Sequence, residues 1–144
     1  MYTIDLDSFN CCCEPEPPSI MQPDDLLKNL EWLKDETTEK MVVVPLDSAN
    51  HVLAQDVITS GITNKVLLHP REVFRAVLKH PTATSLILVP NHPSGRPDPS
   101  KEDLDLTRII AAAANVLQFK LLDHLVVGKY GAKSIRQLNP DLFN

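Results

Sequence analysis

The sequence predicts an α/β domain in which helices pack against a sheet. Two short apolar runs, Met41–Val44 and Leu86–Val89, are typical of buried strands. Between and after them, apolar residues recur at steps of three and four, which predicts amphipathic helices. Interleaved strands and helices are the mark of the α/β class. The 144 residues, 43% of them hydrophobic, suffice for one domain with its own core.

The first half of the chain predicts one helix and two strands. Pro23 opens a helix that should end near residues 36–38, with acidic residues in its first turn and an apolar face of Leu26, Leu27, Leu30 and Leu33. The β-branched run Met41–Val44 predicts a buried strand. Turn-forming residues 47–50 then lead into a second predicted strand, His51–Ser60, and Gly61 marks a turn or bulge.

The second half predicts two helices and two strands. Pro70 suits the first turn of a helix whose apolar stripe is Val73, Phe74, Val77 and Leu78. Leu86–Val89 predicts a central strand ending at Val89. Ser100 is expected to cap a long helix with one face of Leu106, Ile109, Ile110, Ala113 and Leu117. Leu121–Val127 is the last predicted strand, stopped by Gly128.

Residues 1–22 differ in composition from the rest of the chain. Prolines at 15, 17 and 18 oppose helix and central strand, so we expect a flexible N-terminal tail before a domain over residues 23–144. The three cysteines of the chain are consecutive, Cys11–Cys13, a spacing that fits neither a zinc knuckle nor an unstrained disulfide. A reduced, reactive stretch is the simplest interpretation, with metal binding or lipidation as alternatives.

Charge and hydropathy restrict the partners. The formal net charge is −5 and basic residues are dispersed, which argues against non-specific nucleic-acid binding. A local cluster stays open, and its candidates are Arg71, Arg75, Lys79, Arg96, Lys101 and Arg108, although a solvated face is the simpler interpretation. With no long apolar run and no signal-peptide pattern, we expect a cytoplasmic protein without a membrane span. The sequence gives no indication of oligomeric state.

One loop carries the pattern of a metal site. His92, Ser100 and Asp103 have the order and spacing of a metallohydrolase signature, histidine-x-histidine, seven residues, serine, two residues, aspartate, but Pro90 stands at the first histidine. Alternation along a strand would put residues 90 and 92 on one side, and Asp103 at the third helical position could reach back toward them. Taken singly, Ser100 and Asp103 equally fit a helix-capping pair, His92 a loop histidine, and Gly95 a turn glycine.

Together these residues resemble the RadC family of the JAB/MPN (JAMM) metalloenzyme superfamily. The resemblance covers roughly residues 37–138 and is carried by the stretches 69–74, 91–95, 99–103 and 122–124. It implies a mixed, curved sheet flanked by helices, similar to the cytidine-deaminase-like architecture. It also implies a zinc ion that activates water, with a glutamate as general base and a serine stabilising the oxyanion, in the hydrolysis of peptide or isopeptide bonds.

Carried onto this chain, the resemblance assigns Glu39 as the acid–base residue, Ser100 as the oxyanion residue, and His92 and Asp103 as zinc ligands. Pro90 cannot replace the missing imidazole, so zinc is expected to be weakly held or absent. His124 is a candidate substitute ligand, or else a buried histidine hydrogen-bonded to main chain; His69 is a more remote candidate. The resemblance therefore leaves two main functions open: an attenuated or inactive hydrolase acting on a peptide or protein, and a non-catalytic interaction module. An association with DNA repair rests on the family name alone.

Overall fold

The computed structural model describes residues 23–60 and 68–144. The helices are α1 (Pro23–Asn29), α2 (Pro70–Val77), α3 (Lys101–Leu117) and α4 (Ile135–Leu138), with 3-10 helices at Glu31–Asp35 and Pro140–Phe143. The strands are β1 (Lys40–Leu46), β2 (Asp56–Ser60), β3 (Ser85–His92), β4 (Lys120–Gly128) and β5 (Gly131–Ser134). The α/β class predicted from the sequence is thus confirmed.

The strands form one mixed sheet in the order β2-β1-β3-β4-β5. β1 runs antiparallel to both β2 and β3, β3 runs parallel to β4, and β5 returns antiparallel to β4. The parallel pair needs a crossover, and α3 supplies it, since it connects the end of β3 to the start of β4. The loop before α3 therefore begins at the C-terminal end of a central strand, the usual place for a site in an open α/β sheet.

Two apolar cores lie on opposite faces of the sheet because strand side chains alternate. On one face Met41 and Leu88 pack with α2 and α3 through Val73, Phe74 and Leu106. The second core is built from Leu26, Leu30 and Leu33 against Val42, Val44, Leu46, Ile87, Val89, Leu125 and Val127. Because side chains alternate along β1 and β3, the sequence position of each polar residue in these strands determines the face on which it lies.

Several element boundaries differ from the sequence prediction. The first helix divides at Leu30 into α1 and a 3-10 helix, while its leucines still reach the core. The predicted strand His51–Ser60 is a strand only from Asp56, because Asp47 accepts hydrogen bonds from the backbone N–H groups of Ala49 and His51 and holds a turn. β3 continues past Val89 through Pro90 to His92, kept in the sheet by antiparallel pairing of Met41 with Pro90.

Two predicted helical faces were also partly wrong. On α3 the buried residues are Asp103, Leu106, Thr107, Ile110 and Ala114, whereas Ile109 and Leu117 are about half exposed. The buried face is rotated relative to the predicted one because Asp103 and Thr107 are buried and hydrogen-bonded. Leu78 is 61% exposed and follows the last residue of α2. Strand β5 and helix α4 lack a strong apolar period and were missed.

Some expectations fall outside the described residues. The tail at residues 1–22, with Cys11–Cys13, and the turn at Gly61 belong to the two undescribed stretches. Within residues 23–60 and 68–144, no helix has the length and apolar character to cross a bilayer.

Candidate functional site

The sheet brings the predicted site residues to one face at one end. Leu86 and Leu88 of β3 contribute to the core beneath α2 and α3, and alternation places Pro90 and His92 on that same face. Glu39 directly precedes β1, and counting back two residues from the Met41–Pro90 pair brings it level with His92. Glu39 lies two residues before Met41 and therefore on the same face of the sheet. Glu39 and His92 thus stand on one face, at neighbouring strand positions.

His92 and Asp103 meet directly. His92 Nε2 lies 3.1 Å from Asp103 Oδ2, with 13% of the histidine side chain exposed and none of the aspartate side chain. The other ring nitrogen, Nδ1, lies 3.0 Å from the carbonyl oxygen of Arg96. Both ring nitrogens therefore lie close to oxygen atoms that can accept hydrogen bonds. His92 at the end of β3 and Asp103 in the first turn of α3 are thus in contact, as the spacing of the motif predicts.

Asp103 is bound as firmly to its own helix as to His92. Its Oδ2 accepts the Ser100 backbone N–H and the Ser100 hydroxyl, each at 2.8 Å. In return the Ser100 hydroxyl oxygen accepts the Asp103 backbone N–H at 3.2 Å, which completes a capping box at the start of α3. Ser100 and Asp103 thus form the helix cap and are at the same time the serine and aspartate of the motif. The hydroxyl proton of Ser100 is directed to Asp103 rather than to an open position.

His124 belongs to a separate, deeper hydrogen-bond chain. Its Nδ1 lies 2.7 Å from the hydroxyl of Thr107, and that hydroxyl donates to the backbone carbonyl of Asp103 at 2.8 Å. Because the hydroxyl has one proton, Nδ1 is the donor of the His124–Thr107 bond. In the β3–β4 register His124 pairs with Leu88, four residues before His92. His124 therefore lies level with Leu88, further from the end of β3 than His92. Its ring is hydrogen-bonded to the Thr107 side chain, whereas the sequence had suggested a main-chain partner.

Asp123, the other residue of that motif, holds the C-terminal part of the chain. Its carboxylate accepts the Ser134 hydroxyl at 2.6 Å and the backbone N–H groups of His124 and Arg136 at 2.7 and 3.2 Å. Ser134 in turn caps α4. The Asp123 side chain faces this turn, so its role is to join β4 to β5 and α4. His69 is the N-cap residue of α2, and its backbone N–H donates to the Glu72 carboxylate at 3.2 Å.

Sequence reasoning missed Asn91, which fastens the strand entry that carries Glu39. The Asn91 side chain is buried; its Oδ1 accepts the backbone N–H of Lys40 at 2.5 Å, and its Nδ2 donates to the carbonyl of Thr38 at 3.0 Å. These two bonds bracket Glu39 from both sides. The only available signal was an amide residue at an otherwise apolar strand position, which has to be hydrogen-bonded when buried.

The loop after β3 is closed tightly against the start of β5. Gly95 has a φ of +90°, and its carbonyl accepts the Tyr130 backbone N–H at 3.1 Å. A side chain at Gly128 would stand 2.8 Å from the Gly95 carbonyl carbon, so glycine is required for this approach. Close by, the Lys133 ammonium binds the Asp98 carboxylate and is the main reason why the pKa of Asp98 lies below its ordinary value.

His92 and Asp103 have the spacing of two zinc ligands but, within the described part of the chain, lack a third. Two ligands at about 2.0–2.2 Å from one tetrahedral zinc lie roughly 3.3 Å apart, which is close to the His92–Asp103 spacing. Catalytic zinc sites use three protein ligands, however. Across residues 23–60 and 68–144, no group of three or more His, Cys, Asp or Glu side chains is arranged to hold a metal ion. Pro90 offers no donor atom, so the residues that the structure describes do not fit a three-ligand catalytic zinc site.

A mixed five-stranded sheet flanked by helices, with histidine and aspartate meeting at the end of β3 and the start of α3, defines the chain as a JAB-type domain. A profile of the RadC-like JAB domain matches residues 20–139, and the chain belongs to that family.

Curated relatives agree with this assignment. The chain is 43% identical over 123 residues to UPF0758 protein SYNPCC7002_A0220 of Picosynechococcus sp., covering 85% of this chain and 47% of the relative. It is 38% identical over 120 residues to UPF0758 protein TTE0897 of Caldanaerobacter subterraneus, covering 83% and 51%. A UPF0758 protein of Methanospirillum hungatei is 39% identical over 127 residues, covering 87% and 56%. The chain thus spans about half the length of the curated relatives that it matches.

Proposed function

We propose that this domain is a degenerate JAMM-type hydrolase, related to enzymes that cleave peptide or isopeptide bonds, in which zinc is weakly held and hydrolysis is attenuated. The observation that carries the proposal is that two ligand positions of the site are retained and one is lost. His92 and Asp103 keep the spacing of two ligands of one ion, while Pro90, on the same face of β3, has no atom that can coordinate. Pro90 is the position that the motif assigns to the first histidine.

Other parts of the motif support descent from a hydrolase. Glu39 lies level with His92 across the β1–β3 pair, and Asn91 holds the backbone on both sides of it. Ser100 stays within hydrogen-bond distance of Asp103. A general base must stand within reach of the water that it deprotonates, and a backbone position level with that of His92 supports this role for Glu39.

The proposal is tested by comparing zinc content and hydrolysis in matched variants. Protein purified without chelator is assayed for zinc by elemental analysis, and hydrolysis is measured on a set of peptide- and isopeptide-linked substrates with added zinc. We expect less than one zinc per wild-type chain, and more zinc and more hydrolysis in Pro90→His. Adding Glu39→Gln to that variant should abolish the hydrolysis but keep the zinc, whereas Glu102→Gln, at an exposed carboxylate of α3, should change neither.

Stoichiometric zinc in the wild-type protein, or hydrolysis that survives Glu39→Gln in the Pro90→His background, would contradict the proposal. The first result would mean that the ligand set is complete without residue 90. The second would mean that the acid–base role lies elsewhere.

A second candidate function is a non-catalytic interaction module. It is favoured by the contacts of His92 with Asp103 and with the Arg96 carbonyl, which join the end of β3 to the following loop and to α3. On this view the thermal unfolding midpoint is unchanged by a chelator and by added zinc. A rise of several degrees with zinc would favour the hydrolase, because a ligand that binds only the native state stabilises it.

A further inference from the structure

A row of cationic side chains runs along one side of α2. Arg71, Arg75 and Lys79 are exposed and follow one another at intervals of four residues, the spacing of neighbours on one helical face. All three line the same surface depression, which shows that Lys79, just past the C-terminus of α2, continues the row. The protein as a whole carries a net charge of −5, so this face opposes the average charge of the molecule.

The described part of the chain does not neutralise this row. The ion pairs among residues 23–60 and 68–144 involve none of the three cations. Glu72 is the acidic residue within α2, and its carboxylate accepts the His69 backbone N–H at 3.2 Å at the start of the helix. Like charges four residues apart on a helix repel one another, so an anionic partner would remove a repulsion as well as add an attraction.

The same face offers apolar contact. The depression along the row has a volume of about 470 Å³ and also contains Phe74 and Leu78, of which Leu78 is 61% exposed. A second depression of about 290 Å³ shares Arg75 and Lys79, also contains Glu72, and reaches the partly exposed Val57 of β2. A partner for this surface therefore combines carboxylates with apolar side chains.

The N-terminal segment, residues 1–22, has that chemistry. It contains Asp5, Asp7, Glu14 and Glu16 and no lysine, arginine or histidine. Its first residues alternate, with apolar Tyr2, Ile4 and Leu6 next to the two aspartates. Residues 1–19 also lie outside the match to the RadC-like JAB domain, so the domain itself does not account for this composition.

We propose that the N-terminal segment binds in cis to the cationic face of α2, with Asp5 and Asp7 on Arg75 and Lys79 and the alternate apolar residues over Leu78. In an extended chain, residues two apart are separated by about 6.6 Å, and helix positions four apart rise by about 6 Å, so the two charge rows match in spacing. α1 packs on the opposite face of the sheet. The fifteen residues between Asp7 and Pro23 can span roughly 50 Å, more than enough to pass a sheet edge.

Zero-length crosslinking of the full chain with a carbodiimide tests this arrangement, because it joins a carboxylate to an amine only when the two are in contact. Digestion and mass spectrometry should show Lys79 joined to Asp5 or Asp7. Lys101, an exposed lysine at the start of α3, is the internal control and should remain unjoined to these aspartates. Arg75→Glu should lower the yield of the Lys79 link at least fivefold, whereas Arg108→Glu, at an exposed arginine of α3, should leave it unchanged.

Two further conditions separate the alternatives. The yield should fall at 1 M salt, where the Debye length shrinks to about 3 Å. In an equal mixture of ¹⁴N- and ¹⁵N-labelled protein, the link should join peptides of the same label. Mixed-label links would mean that a second copy supplies the segment, and would overturn binding in cis. A missing Lys79 link, or one unaffected by Arg75→Glu, would overturn the proposal.

Discussion

Replacing Pro90 by histidine should restore the third zinc ligand. Residue 90 is buried, pairs with Met41 and lies on the face of β3 that also carries His92. An imidazole introduced there therefore starts from a strand position on the correct side of the sheet. The substitution also returns a backbone N–H to a central strand, where proline ordinarily weakens the ladder.

The expected gain follows from the worth of a ligand. Structural zinc sites contribute about 10–16 kcal/mol over four ligands, or roughly 2.5–4 kcal/mol for each. At about 1.4 kcal/mol per tenfold change, one added imidazole should lower the zinc dissociation constant by roughly two to three orders of magnitude. Repositioning of Asp103, which already accepts bonds from Ser100, reduces this gain, so the lower end of the range is the firmer expectation.

The assay is a zinc titration in competition with a chromogenic chelator, and the matched control is Pro90→Ala. Alanine removes the proline ring and restores the N–H without adding a donor, so it isolates the imidazole. We expect Pro90→Ala to bind zinc like the wild-type protein, and Asp103→Asn in the Pro90→His background to reverse most of the gain. Equal zinc affinity in Pro90→His and Pro90→Ala would refute the assignment of the missing ligand.

Three other predictions concern contacts that stabilise the fold. Gly128→Ala should destabilise the fold by roughly 1–3 kcal/mol in urea unfolding, because the new methyl group would meet the Gly95 backbone; an unchanged midpoint would contradict this contact. Asn91→Leu should cost about 1–3 kcal/mol for unsatisfied backbone groups and speed hydrogen exchange of the Lys40 amide, and unchanged protection there would disprove the bracket around Glu39. The hydrogen bond from the His51 backbone N–H holds the pKa of Asp47 below its ordinary value of 3.8, so its contribution to stability is present above pH 3.8 and is lost as the pH falls through the lowered pKa. Accordingly, the stability difference between wild type and Asp47→Ala should vanish in acid, and a constant difference would contradict the assignment.

The sequence predicted the fold class and the meeting of His92 with Asp103 because both depend on local periodicity. Alternation along β3 fixes the side of His92, and the capping pattern at Ser100 fixes the first turn of α3. Neither inference needs knowledge of distant residues. Glu39 was singled out by the family resemblance rather than by periodicity, and it directly precedes β1, where its position relative to His92 depends on strand register.

The errors arose where distant contacts decide the structure. The buried face of α3 was misplaced because Thr107 and Asp103 look polar in sequence, while their partners lie at His124 and His92. β3 was ended too early because proline opposes a central strand, and only its pairing with Met41 shows that it is accommodated. Asn91 was overlooked for a similar reason, since its partners lie more than fifty positions away along the chain.

Titration of the wild-type protein with zinc by calorimetry measures the loss of coordination most directly. Two of four ligands correspond to about half of the free energy of a structural site, so the dissociation constant should lie in the micromolar range or weaker. Heat of binding at a one-to-one ratio with nanomolar affinity would show that imidazole and carboxylate are joined by a further donor, and the account of a site disabled at residue 90 would be wrong.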